Sequence, residues 1–182
     1  MAVTATFRVI YVFVVVEVGT RRIRHWNVTT HPTAEWTTQQ FRMAVPGDQT
    51  HRFVIHDRDT IYSEGVDRTL TAMGLTVLKT PVRARQANAF CDRLIGTIRR
   101  ECLDFIILLN ERHLRHILQR WVAHYNRGRP HASLGPGIPD RRQLDPAGSP
   151  SSGHRLPDGY RVAATAILGG LHHEYRLEST AA

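Results

Sequence analysis

Two acids, Asp57 and Asp92, sit where a carboxylate can do chemistry. Phe53, Val54 and Ile55 form a short apolar, largely β-branched run, which predicts a strand with Asp57 at or just past its end. Asp92 opens a second element. From Ala89 to Leu103 the apolar residues Phe90, Leu94, Ile95, Ile98 and Leu103 recur at helical spacing, and Arg93, Arg99, Arg100 and Glu101 fall elsewhere on the wheel. The 34 residues between the two acids are enough for a helix from about Gly65 to Met73 and a strand from about Thr76 to Thr80. Acids far apart in the chain can therefore meet at one edge of a sheet. Paired carboxylates suit a hard divalent cation such as Mg²⁺. The competing reading is an ordinary surface ion pair, since Arg58 follows Asp57 and Arg93 follows Asp92.

The elements that must position these acids follow from the pattern on either side. Thr6 to Val18 is a nearly continuous apolar run, read as a strand buried on both faces. Gly19 and Thr20 turn the chain, and Ile23 to Thr29 forms an antiparallel partner. A helix follows from Pro32 to about Ala44, with Pro at its first position. In it Trp36 and Phe41 read as core. Pro46, Gly47 and Asp48 mark a loop before the Asp57 strand. Glu111 to Asn126 is the clearest amphipathic helix, with Leu114, Ile117, Leu118, Trp121, Val122 and Tyr125 on one face. After Gly135 the composition shifts to Pro, Gly, Ser and Arg. Residues 135–159 read as a flexible linker and 160–182 as a tail with a β-hairpin turning at Gly169 and Gly170.

Composition narrows the class. A chain of 182 residues can bury one real core and carry a tail. Its net charge of +8, carried by 23 Arg and a single Lys, favours polyanionic partners. Cys91 and Cys102 lie on one helix about 16 Å apart and cannot pair, which fits a reduced, cytoplasmic protein. Val9 to Val16 is too short to cross a bilayer, and no membrane partner is expected. His113 and His116 share a helix face, but no Cys or further His accompanies them, so zinc is not expected there.

Three motifs carry a resemblance. D-R-D-T-I-Y from Asp57, then ANAFCDRLIGTIRRECLD, then HYNRGRPHASLG together resemble the catalytic core of insertion-sequence transposases, relatives of the retroviral integrases. The likeness covers most of residues 6–135 and makes residues 1–134 a partial integrase catalytic core. It implies an α/β fold, a ribonuclease-H-like mixed sheet flanked by helices. In that family Asp, Asp and Glu hold two divalent ions. Asp57 falls on the second position and Asp92 on the third, where Glu is usual. The first acid has no counterpart, because no Asp precedes Asp48. The first strand is thus expected to lie outside this chain. Glu17, at a strand end, is not expected to replace its carboxylate.

The resemblance implies DNA integration or transposition by phosphodiester strand transfer, with Mg²⁺ or Mn²⁺ as cofactor and DNA as partner. Asp92 is one methylene shorter than Glu, roughly 1.3 to 1.5 Å of reach, and impaired activity is expected. The alternative is an inactive remnant that binds DNA or pairs with an intact transposase; a homo-oligomer is the other expected assembly. Asn88, Arg93, Arg99 and Arg129 are the candidate DNA contacts. Asp59 reads as a turn former and His56 as structural or as a support for Asp57. If the strand that should join the two halves of the sheet is missing, backbone groups stay unpaired. The isolated chain should then melt broadly or aggregate. A sharp, cooperative thermal transition of the monomer counts against this.

Overall fold

The computed structural model describes residues 1–45, 51–81, 89–135, 137–140, 156 and 158–180. The expected loop at Pro46 to Asp48, the candidate Asn88 and most of 135–159 lie outside the described residues. The chain divides into two compact units, Met1–Val18 with Ile23–Arg115, and Gly19–Arg22 with His116–Ala182.

In the first unit β1 (Ala2–Val3), β2 (Val9–Val16) and β3 (Ile23–Thr29) form an antiparallel sheet in that order. Residue β2 pairs run from Tyr11 with Thr29 to Val16 with Ile23, with an irregularity between Val15 and Val16. Burial of β2 on both faces is only partial. Ile10 and Phe13 point to opposite faces and are both buried, whereas Val9 and Tyr11 stay exposed.

Helix α1 (Ala34–Ala44) begins two residues later than Pro32 suggests. Thr33 is its cap, accepting the Trp36 N–H at 3.1 Å. A hydroxyl can satisfy an orphan amide of the first turn; a proline ring cannot. After α1 come β4 (Phe53–His56), α2 (Glu64–Ala72), β5 (Thr76–Lys79) and α3 (Ala89–Glu101). Strands β4 and β5 run parallel, Phe53 opposite Thr76 and His56 opposite Lys79, and α2 is their crossover. Gly74, with φ of 83°, takes the left-handed turn that leads α2 back into β5.

The single mixed sheet expected from the sequence is seen as two separate ladders, β1-β2-β3 and β4-β5. Ladders merge only through a strand that pairs on both sides. Ala2 and Val3 offer two register pairs to β2, and among the described residues no strand pairs with the second edge of β4. What holds this unit is apolar packing: Phe13, Phe41, Val66, Leu70 and Leu75 form one buried cluster, with Val54, Tyr62 and Val77 against it. Phe13 meets Phe41 edge to face, ring centroids 5.2 Å apart.

In the second unit, α4 (Glu111–Arg127, which starts in the first unit) is followed by a hairpin, β6 (Tyr160–Ile167) and β7 (His172–Ser179). The predicted face of α4 is buried throughout, from Leu114 to Tyr125. Asn110 caps it, its side chain accepting the His113 N–H at 2.9 Å. The hairpin turns through Leu168–Gly170. Among the described residues no helix is long and apolar enough to cross a membrane.

Leu70 is fully buried at the centre of the first unit's cluster. Leu70→Ala is expected to cost about 2–5 kcal/mol, through lost transfer energy and the cavity left behind. Urea unfolding followed by tryptophan fluorescence measures it.

Candidate functional site

Asp57 follows the last residue of β4 and starts a tight turn. Its Oδ1 accepts the Asp59 N–H at 3.1 Å. Asp59 repeats the device, accepting the Ile61 N–H at 3.2 Å, which supports its reading as a turn former. Arg58 donates from Nε to the Thr80 carbonyl at 3.0 Å, just beyond the end of β5. The turn is thus tied to both parallel strands. A carboxylate offers about four acceptor sites, so one backbone hydrogen bond does not use up Asp57.

Asp92 lies in the first turn of α3, exposed, where a negative charge complements the helix dipole. Cys91 precedes Asp92 on the same turn. Burial pushes the Cys91 thiol up, and the charges of Asp92 and then Asp57 push it further. Both carboxylates therefore lie within electrostatic reach of one sulfur atom. Tyr62 reports the same neighbourhood from the other side: its phenol is pushed up by burial first, then by Asp57, Cys91 and Asp59. The end of β4, the turn after it and the start of α3 make one acidic corner.

A hydrogen-bonded network running from the buried His56 to the surface adjoins this corner. His56 is 4% exposed; its Nε2 meets Asp67 Oδ1 at 2.9 Å and its Nδ1 meets the Asp57 carbonyl at 2.6 Å. Asp67 Oδ2 in turn takes the Lys79 ammonium at 2.6 Å. Burial pushes the Asp67 carboxyl up, but hydrogen bonds from Lys79 and His56 outweigh it and hold the carboxyl below its ordinary range. Asp67 and Lys79 were missed in the sequence. Their only signals were an acid early in α2 and the chain's single lysine at the end of β5.

The candidate basic residues are scattered. Arg93 and Arg99 are exposed on α3; Arg99 donates to the Met1 carbonyl at 3.2 Å. Gly96 does not leave open space, because the Arg100 guanidinium lies over it. Arg129 belongs to the second unit, where it sits over the Tyr125 ring at 5.8 Å. Around it the closing motif works as a clamp: Asn126 O accepts from Asp140 N at 2.8 Å, and His131 meets Tyr125 edge to face. Asp140 also pairs with Arg22 at 3.2 Å and with Arg127 at 3.6 Å. Glu17 lies 3.7 Å from His51.

Oxygen donors from two carboxylates fit a hard divalent ion that keeps most of its waters. Among the described residues, however, no group of three His, Cys, Asp or Glu is placed to hold a metal.

Residues 73–139 match the family model described as an integrase core domain. This stretch is integrase core. The integrase core match contains β5, α3 and α4 and, with them, Asp92, Arg93, Arg99 and Arg129; Asp57 lies before it. It ties the chain to DNA integration and transposition, with DNA as the partner, and integrase core domains typically depend on divalent metals. No curated protein matches the chain.

Proximity of both acids to Cys91 is testable by reactivity. Thiolate, not thiol, attacks a disulfide reagent. Asp57→Asn and Asp92→Asn should each speed the reaction of Cys91 with Ellman's reagent at pH 8, and the double variant should be fastest. Cys102, fully buried and pushed up to about 12 by burial, should stay unreactive until unfolding. Equal rates for parent and variants would place the acids away from the sulfur.

Proposed function

We propose that this chain is a metal-dependent DNA strand-transfer domain whose working acids are Asp57 and Asp92. The observation that carries the reading is the integrase core match over residues 73–139, which takes in Asp92 on the first turn of α3, with Asp57 just past the end of β4. Bound Mg²⁺ or Mn²⁺ supplies activation of an attacking oxygen and stabilisation of a departing one in a phosphodiester displacement. The chain's own residues bind and orient. Asp57 is held by the turn to Asp59, and Asp92 is fixed on the first turn of a thirteen-residue helix. Arg93 and Arg99 on the same helix, and Arg129 beyond α4, are the residues we assign to phosphate, where guanidinium forks match the oxygens. Asn88, just before α3 in sequence, is a fourth proposed contact.

Asp92 is the weak point of this arrangement. Its carboxylate stops one methylene short of the Glu usual in this family, and a misplacement of about 1 Å can cost around a hundredfold in rate. That shortfall favours a second reading, a domain that binds DNA or an intact transposase and cuts nothing. The two differ in what a longer side chain does.

Asp92→Glu should raise Mg²⁺-dependent strand transfer on a labelled duplex by about ten- to a hundredfold, since it restores the missing reach. Asp57→Ala should abolish it. If the parent and Asp92→Glu are both silent and DNA still binds, the second reading stands. Arg129→Ala and Arg93→Ala should weaken DNA binding about equally on all sequences and flatten its salt dependence, as expected for phosphate contacts.

A further inference from the structure

We infer that His56 and Asp67 form a positioning device for Asp57, so that Asp67, on the crossover helix, acts on the candidate metal site without touching it. The inference deepens the reading of Asp57 as a metal ligand and rests on it for its functional consequence. The clamp itself stands on separate geometry.

Both ring nitrogens of His56 and one face of the ring have partners. A carbonyl oxygen can only accept, so Nδ1–H donates to Asp57 at 2.6 Å. On the other side of the ring Nε2 meets Asp67 Oδ1 at 2.9 Å, and Asp67 is itself held by the Lys79 ammonium at 2.6 Å. One face stacks on Tyr62, centroids 4.5 Å apart and planes 21° from parallel. The main chain is held as well, since the His56 carbonyl accepts from Thr80 N at 3.0 Å. These contacts leave the Asp57 peptide little room to rotate. The Asp57 carbonyl is tied to the ring behind it and the Asp57 carboxylate to the Asp59 amide ahead of it.

The burial pattern of the strand points the same way. A protein that needed only a filled space at the end of β4 could use an apolar residue. Instead the buried residue of the strand is the histidine, while Phe53 and Ile55 are exposed. Partners that orient a metal ligand from behind typically change metal affinity 10- to 100-fold when removed.

Mn²⁺ alone is the probe, added to the full chain and followed by the electron paramagnetic resonance of the free ion. Asp67→Asn keeps an oxygen facing His56 but removes the charge. It should weaken Mn²⁺ binding by about tenfold or more in a chain whose circular dichroism shows it folded. Lys79→Met leaves His56 in contact with Asp67 and should weaken binding less; it carries the test if Asp67→Asn does not fold. Mn²⁺ affinity within twofold of the parent in both folded variants overturns the inference. Asp57→Ala is the control for the site itself: if it binds Mn²⁺ as the parent does, the metal-site reading fails. The clamp is then judged by proton NMR. A slowly exchanging His56 ring N–H signal, lost in Asp67→Ala, sustains it, and a ring N–H that exchanges equally fast in both chains overturns it.

Discussion

Strands β4 and β5 run parallel, and two parallel strands cannot lie side by side unless the chain crosses over between them. Much of the first unit follows from that requirement. The crossover is α2, and its buried residues Val66 and Leu70 join Phe13, Phe41 and Leu75 in the cluster that holds the unit together. The same geometry brings the ends of both strands out together. Asp57 therefore emerges beside Thr80, and Arg58 can reach back to the Thr80 carbonyl. The turn that carries the acid is braced from the strand it has just left and from its neighbour.

Burial and charge then divide the work within this corner. Asp92 is exposed, Asp57 half-buried and His56 nearly sealed, so polar groups grow harder to solvate with depth. A buried polar ring needs partners, and His56 has one in Asp67, which also takes the Lys79 ammonium nearer the surface. Asp57 and Asp92 lie closer to solvent, and both raise the Cys91 thiol by their charge.

Elements with a strong period were legible in the sequence. The apolar face of α4 from Leu114 to Tyr125, the strand ending at His56, the helix opening at Ala89 and the hairpin turning at Gly169 and Gly170 all follow from spacing and turn residues. Helix starts were less so, because a threonine hydroxyl displaced proline as the boundary of α1. Strands joined by a tight turn, β2 with β3 and β6 with β7, were legible as neighbours; how the ladders join was not. Pairing depends on which edges meet in space, and the expected single sheet is two ladders. The same limit explains the missed Asp67: nothing in its own neighbourhood marks an acid that answers a histidine 11 positions earlier.

In the second unit, Glu174 of β7 accepts a contact from the buried ring of His124 on α4, and His124 stacks on His172. Gly128, just past the end of α4, lies so close to Glu174 that an added Cβ would collide with its carboxyl end. A bare backbone at that one position is what lets the carboxylate reach the ring. The fastening between hairpin and helix is therefore governed by a residue with no side chain to contribute, and any bulk acquired there would evict the glutamate from its seat while leaving both strands of the hairpin intact.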